Sequence, residues 1–521
     1  MMKRLRKGSL AGLAGGLLLT AAPAAAQDGA ALLEANCAGC HEADASGALS
    51  RVAGQRKTPE GWLMTIVRMR LFHGMPIEAD AQAQLVRYLA DTQGLAPSEA
   101  AEFRYALERE PNTVEAAEAP LGEMCARCHT LARVGLQRRT QEEWNLHVDF
   151  HVGQWPTLEY QALARDREWL KLAREEVVPL LAERYPFETD AWTAWQEAAK
   201  PTALGDWTFV TRLPGKGEAY GTLTVSGDAQ PYAVAGTLKT AAGEELAVSG
   251  RLNLYTGYEW RANLTVGDTL YRQVLALAED GATVAGRQFL HAEDSLGAPF
   301  RAVRAGGAPA IAGVVPSTLV AGSPATVQVV GTGLESASLS GTLQASGGTA
   351  NAFGIALDVS PAAGADGPVA VASGPATADA ALAVYSRIDS LRVEPAYAVA
   401  RVGGGGGSAG KVPARFEAIG YWNGPDGEPG TDDDVRIGAV PASWSVEPFN
   451  EEAETLKDVE HAGAMDETSG IFMPAVAGPN PDRPFSTNNA GNLKVLARSG
   501  EAAGEAQLIV TVQRWNDPPI R

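Results

Sequence analysis

The four cysteines of the 521-residue chain fall in two copies of one pentapeptide, Cys37-Ala38-Gly39-Cys40-His41 and Cys125-Ala126-Arg127-Cys128-His129. Cys-x-x-Cys-His is the attachment pattern of c-type haem. Two thiols form thioethers with the porphyrin edge, and the adjacent imidazole is held beneath the iron as an axial ligand. Paired Cys-x-x-Cys units could also build one four-thiolate zinc site, and a single unit a thioredoxin-like redox pair. Neither explains a His after both second cysteines. Cys37, Cys40, His41, Cys125, Cys128 and His129 are therefore expected to bind two covalent haems, which leaves no cysteine for a disulfide.

The elements around the motifs read as helices. In residues 58–74 Thr58 is an N-cap, Pro59 the first helical residue and Gly74 the stop. Residues 140–153 open with Thr140 and Glu143 in capping-box spacing. Thr58 aligns with Thr140 and Trp62 with Trp144, an internal repeat in which each copy is a haem motif followed by a capped helix. Seven residues past each Trp stand Met69 and His151, on a helix face shared with His73 and His147. The expected iron ligands are thus His41 with Met69 and His129 with His151. Met75, in Gly74-Met75-Pro76, and His73 are alternatives for the first haem, and His147 for the second. A Met on an amphipathic helix is more often core than ligand, but two haems in need of distal groups change that weighting. A further helical stretch, residues 158–195, carries Pro179 as an expected kink and Trp169, Trp192 and Trp195 as packing residues that could also cover a haem edge.

The start of the chain, with Lys3, Arg4, Arg6 and Lys7, an apolar run and Ala24-Ala25-Ala26, has the form of a signal peptide over residues 1–26. Export to the periplasm is expected. No other segment is apolar enough for a membrane span. With 43 basic and 62 acidic residues the net charge is −19, and removing the four leader cations makes it more negative still. Such a charge argues against nucleic acid or an anionic membrane as partner.

After about Leu204 the apolar period shifts from helical to alternating, with six to eight short strands and glycine turns expected to form a β-barrel-like domain over 201–306. Residues 307–400 and 401–521 each read as an immunoglobulin-like β-sandwich, following a helical domain over 27–200. The fold class is therefore multidomain, α plus all-β. His291 reads as a surface or packing residue. The run Arg401–Gly410 reads as a flexible connection, and Asp426, Asp432, Asp433 and Asp434 as a solvated hairpin tip in preference to a calcium loop.

This order of parts resembles the α subunit of quinohaemoprotein amine dehydrogenase over essentially the whole mature chain, including the strings QRKTPEGWLM, VRYLADTQGL, DFHVGQWPTLEYQA, TGYEWRANLTVGD, NNAGNLKV and VTVQRWNDPP. The resemblance implies a periplasmic heterotrimer. A small γ subunit would carry cysteine tryptophylquinone, which oxidises primary amines to aldehydes and ammonia, and a β-propeller β subunit would help enclose it. The α subunit would accept electrons and pass them to a blue-copper protein or small cytochrome c. The sequence agrees in having no spare cysteine for a crosslinked quinone and no recognisable catalytic base. Rival readings are a stand-alone dihaem carrier with partner-binding sandwiches, and a dihaem peroxidase-like enzyme with one open distal site.

Overall fold

The computed structural model of the chain describes residues 29–512, apart from residues 111, 112, 114, 116, 117, 162, 215, 293, 295, 406–409, 425 and 433 and the side chains at 379 and 380. The basic leader, Asp433, most of the glycine run and the closing residues from 513 lie outside the described residues. The N-terminal region holds α1 (Gly29–Cys37), α2 (Pro59–His73), α3 (Ala79–Thr92), the short α4 (Pro97–Ala101), α5 (Arg104–Leu107) and α6 (Ala132–Gly135), then α7 (Gln141–Gln154), α8 (Trp169–Leu172), α9 (Val178–Arg184) and α10 (Asp190–Glu197). Two three-residue strands interrupt it, β1 (Gln55–Lys57) and β2 (Gln137–Arg139).

These strands pair antiparallel, Gln55 with Arg139, Arg56 with Arg138 and Lys57 with Gln137. Residues 51–58 read Arg-Val-Ala-Gly-Gln-Arg-Lys-Thr and residues 133–140 Arg-Val-Gly-Leu-Gln-Arg-Arg-Thr, so the ladder joins equivalent segments about a local two-fold between Arg56 and Arg138. Each strand runs straight into an N-cap. Thr58 Oγ1 accepts from the Gly61 N–H at the start of α2, and Thr140 Oγ1 from the Glu143 N–H at the start of α7. The symmetry extends to the next helices. The Trp62 indole donates to the Gln93 carbonyl after α3, and the Trp144 indole to the Tyr185 carbonyl after α9.

On the two-fold sits one carboxylate. Glu99, from α4, receives both arms of the Arg56 fork at 2.9 Å and the Arg138 Nε at 3.1 Å. The Ala96 N–H and the Thr189 hydroxyl also donate to it. All three charged residues are buried. Burial pushes the Glu99 carboxyl up, but Arg56, the Ala96 N–H and Arg138 outweigh that and hold it below the usual Glu range.

One local expectation is corrected. The Glu143 carboxylate does not return to the Thr140 N–H, which donates to the Gly54 carbonyl; it lies at 3.2 Å from Arg51 and 3.5 Å from Arg139. Pro179 lies inside a continuous helical run from Trp169 to Arg184, in which a π-turn at Ala173–Val177 immediately precedes it.

Strands β3 (Gly205–Leu213), β4 (Gly217–Ser226), β5 (Tyr232–Thr240), β6 (Glu245–Tyr255), β7 (Glu259–Val266), β8 (Thr269–Leu277), β9 (Thr283–Leu290) and β10 (Gly297–Arg304) form a closed barrel in which each pairs with the next and β10 returns to β3. Its interior is filled. Trp207 and Trp260 meet edge to face at 5.9 Å, and Phe209 stacks on Phe300 at 4.9 Å. Gly221 admits Phe209, since a Cβ there would lie 2.7 Å from that ring. The helical region is keyed to the β6–β7 turn, where Asp91 accepts from the Thr256 N–H, Trp195 donates to the Thr256 carbonyl and Glu60 pairs with Arg261 at 2.5 Å.

Residues 310–385 build two sheets around a common core that includes Val329, Ile355, Val369 and Leu382. Residues 390–511 build further sheets around Phe416, Trp444, Phe472 and Leu493, and add two short helices, Glu451–Thr455 and Asp458–Ala462, that the alternating pattern did not announce. Asp426 and Asp434 accept backbone N–H groups of their own turn, as a hairpin tip requires.

Glu99→Gln would leave two buried guanidinium groups without a counter-charge, and a loss of about 3–5 kcal/mol in the helical region is expected in urea unfolding followed by tryptophan fluorescence. Because the folded-state value of Glu99 is depressed, its contribution is present above the ordinary Glu range and is lost as pH falls through the folded value. Acidification below about pH 4 should therefore erode wild-type stability faster than that of the Gln variant. Parallel acid slopes would count against the assignment.

Candidate haem sites

Both Cys-x-x-Cys-His segments fold as the same turn. Cys37 ends α1, and its carbonyl accepts from the Cys40 and His41 N–H groups at 3.1 and 2.9 Å. Cys125 lies in a π-turn, Gly122–Ala126, and its carbonyl accepts from Cys128 and His129 at 3.2 and 3.4 Å. One helical turn thus carries both thiols, with the imidazole next in line. The four cysteines are free thiols, and among the described residues no three His, Cys, Asp or Glu side chains gather as a metal cluster, so the two Cys pairs do not converge on one zinc site. Burial, then the neighbouring Cys128, pushes the Cys125 thiol up to about 12, and burial, then Cys40, raises Cys37. Both are therefore held as thiols rather than reactive thiolates.

The second site is the better defined. The rings of His129 and His151 face each other with centroids 6.4 Å apart and planes tilted by 36°. Two imidazoles bonded to one metal at about 2.0–2.1 Å each, plus a ring radius on either side, put their centres about 6 Å apart. His129 Nδ1 donates to the Thr130 carbonyl and His151 Nδ1 to the His147 carbonyl, both at 2.8 Å. That fixes the tautomer in each ring and leaves the lone pair at Nε2, the outer-shell arrangement of a ligating histidine. The donor set therefore fits a haem iron held between α7 and the second motif.

Around His151 the packing is aromatic. Trp169 lies 5.7 Å from its ring and donates its indole N–H to the Met124 carbonyl, tying α8 to the turn that bears Cys125. His147 meets His151 edge-on at 4.9 Å and stacks on Phe150. Burial, followed by Arg139, holds His147 well below the usual His range, and burial lowers His151. His147 thus supports His151 through its carbonyl and its ring. The long connector from α7 to α8 is clamped over the motif by Arg127–Asp166 and Arg167–Glu123, both 2.9 Å. Sequence reasoning missed these clamps, because their partners lie about forty residues apart in loops without periodicity. Trp192 and Trp195 are core residues, one under Arg56 and the other in the barrel core.

At the first site the two methionines, both half-buried, separate by what they pack against. Helix α2 stops where expected, at Gly74 with φ 67°. Beyond it Met75 turns inward and packs on the apolar cluster of Trp62, Ile66, Leu85 and Leu89, which also takes in Cys37. Met69 is half-buried on α2 outside that cluster, and His73 is exposed.

Three family models match the chain: "Quinohemoprotein amine dehydrogenase A, alpha subunit, haem binding" over residues 27–192, "alpha subunit domain II" of the same enzyme over 201–305, and "alpha subunit domain IV" over 391–520. No curated protein matches it. Among solved structures, a de novo designed fluorescence-activating β-barrel is 18% identical, with 19% of this chain and 92% of that one covered at a TM-score of 0.17. Drosophila OTK extracellular domains 3–5 are 10% identical, with coverage of 60% and 87% and a TM-score of 0.14.

His151→Ala is expected to convert the second haem from six- to five-coordinate in its optical spectrum, whereas His147→Leu should keep six-coordination; the opposite pattern would transfer the ligand role to His147. Met69→Ala should alter the first haem's spectrum and lower its potential, since Met ligation raises it. A change with Met75→Ala instead would transfer the ligand role to Met75, which packs on the cluster that includes Cys37.

Proposed function

Because this chain belongs to the family of quinohaemoprotein amine dehydrogenase α subunits, we propose that it is the dihaem electron-transfer subunit of a periplasmic complex that oxidises primary amines. What carries the reading is the match of three α-subunit models to three successive parts of one chain that also holds two haem motifs. Bound haem would supply a one-electron ferric–ferrous couple. The chain's own residues do the rest. Cys37 and Cys40 tether one group and Cys125 and Cys128 the other, while His41 and His129 ligate from below.

His129 and His151, each oriented by a carbonyl, form a bis-histidine site, and His41 with a methionine from the end of α2 forms the other. Met ligation raises the potential of a haem relative to His ligation, so the two ligand sets place the lower potential at the second site. Trp169 packs against the His151 ring at that site, and the connector is tied to the motif by its ion pairs. The barrel and the two units built of facing sheets, read as immunoglobulin-like sandwiches, act as scaffold for the partners. Those partners are a small γ subunit bearing cysteine tryptophylquinone, a β-propeller β subunit, and an external acceptor such as a blue-copper protein or small cytochrome c.

Purification of the chain from its native periplasm, with mass spectrometry of every co-purifying protein and a haem spectrum after addition of a primary amine, tests this. A small quinone-bearing partner and amine-dependent haem reduction are expected. A lone chain whose haems ignore amines would make it a stand-alone dihaem carrier, and a five-coordinate, peroxide-reactive haem would favour the peroxidase reading.

A further inference from the structure

The helical region contains a charge imbalance that its described side chains do not resolve. Lys57 and Arg139 occupy equivalent positions in the two repeats, at the ends of β1 and β2, and are 7% and 4% exposed. Each cation lies over the tryptophan of its own repeat, Lys57 over Trp62 at 5.1 Å and Arg139 over Trp144 at 5.5 Å. Arg51 and the half-buried Arg68 lie in the same electrostatic neighbourhood, and Arg68 sits over the Phe150 ring at 5.2 Å. Against these four cations the neighbourhood holds one carboxylate, Glu143, which reaches Arg51 and Arg139 through a single oxygen without an aligned hydrogen bond.

Lys57 is the extreme case. The position equivalent to Glu143 in its own repeat is Gly61, and among the described residues the acceptor for Lys57 is the Thr65 hydroxyl, at 2.8 Å. An ammonium buried without a counter-charge is strongly unfavourable. Burial, followed by Arg139 and Arg68, drives its proton affinity well below the usual Lys range, and burial lowers Arg139 to about 9. A chain with 62 acidic residues has no shortage of carboxylates to place here. The anion is therefore one that the side chains do not provide.

Resting on the reading that two haems are attached, we propose that Lys57 and Arg139, assisted by Arg51 and Arg68, bind the propionate carboxylates of those haems. The cluster lies between the helices that bear Met69 and His151, and its two buried cations recur once per haem motif, as a group present twice demands. Arg68 immediately precedes Met69, and its repeat equivalent Phe150 immediately precedes His151. Neighbouring cations also disfavour the ferric state, so the cluster raises the potential of the haem it serves.

The test uses the intact chain, matured with its haems, and compares Lys57→Gln, Lys57→Arg and Arg139→Gln by spectroelectrochemistry and resonance Raman at neutral pH. Lys57→Gln should shift one haem's reduction equilibrium about tenfold toward the ferric form, or about 59 mV for one electron. The propionate bending band should move with it, and Lys57→Arg should restore both. If Lys57→Gln does not fold, Arg68→Gln reads the same quantities from a half-buried position. Fully haem-loaded Gln variants with unmoved potentials and Raman bands would overturn the propionate assignment while leaving the dihaem reading intact. A potential that tracks inorganic phosphate with no change in the propionate band would assign the cluster to a soluble anion and overturn it too. A chain that matures without covalent haem, by pyridine haemochrome assay, would remove the dihaem reading and this proposal together.

Discussion

The arrangement of both candidate haem sites depends on one buried ionic contact, the sharing of Glu99 by Arg56 and Arg138. Burying two guanidinium groups and a carboxylate costs several kcal/mol per ion, which is recovered only when every polar atom is engaged. Here the carboxylate is saturated by two arginines, a backbone N–H and a hydroxyl. Because the arginines lie at the centre of the β1–β2 ladder, the contact fixes the two strands in register. The N-caps Thr58 and Thr140 follow within two residues. The start and direction of α2 and α7, and hence of the faces that carry Met69 and His151, are set from this point.

Much of this was legible in the sequence because the signals were local. Thr58, Pro59, Gly74 and Thr140 act within one turn of their own position, and the strands of the barrel alternate with period two. What was not legible depended on residues distant in the chain. Glu99 lies outside both repeats and gains its role only where they meet. Glu143 has the spacing of a capping-box residue, yet Arg51 and Arg139 draw its carboxylate away, and the Thr140 N–H it would have met is taken by the Gly54 carbonyl. Met69 and Met75 stand near the end of one helix and are both half-buried, and only the packing of Met75 on the Trp62 cluster distinguishes them.

The junction with the barrel accounts for one of the most distinctive strings, TGYEWRANLTVGD. Thr256 adopts φ 56°, a left-handed conformation that a β-branched residue rarely takes, and its N–H, hydroxyl and carbonyl are each engaged, by Asp91, by Ala90 and Glu259, and by Trp195. Burial, only partly offset by Arg261, raises Glu259 to about 8, while Arg261 overcomes the burial of Glu60 and holds it below the usual range. One arginine between two buried carboxyls can neutralise one of them, so the other retains its proton near neutral pH. The string therefore describes an interface between a barrel turn and the end of α3, and its residues are constrained from both sides.

Between α2 and α7 the buried charge has the opposite sign to that of the chain as a whole. The chain as a whole is strongly acidic, with net charge −19, yet the space between α2 and α7 gathers four cations around one carboxylate. A surface rich in carboxylates favours solubility and the approach of a basic partner. The same sign placed beside a haem would favour the ferric state and lower its potential. Segregating the charges lets the two requirements be met independently, since Debye screening weakens exposed carboxylates at a distance of about 8–10 Å while the buried cations act through a poorly screened interior. The two-fold of the helical region makes this economical: a single ladder brings Lys57 and Arg139 together between the repeats, so that one cluster can influence both sites at once.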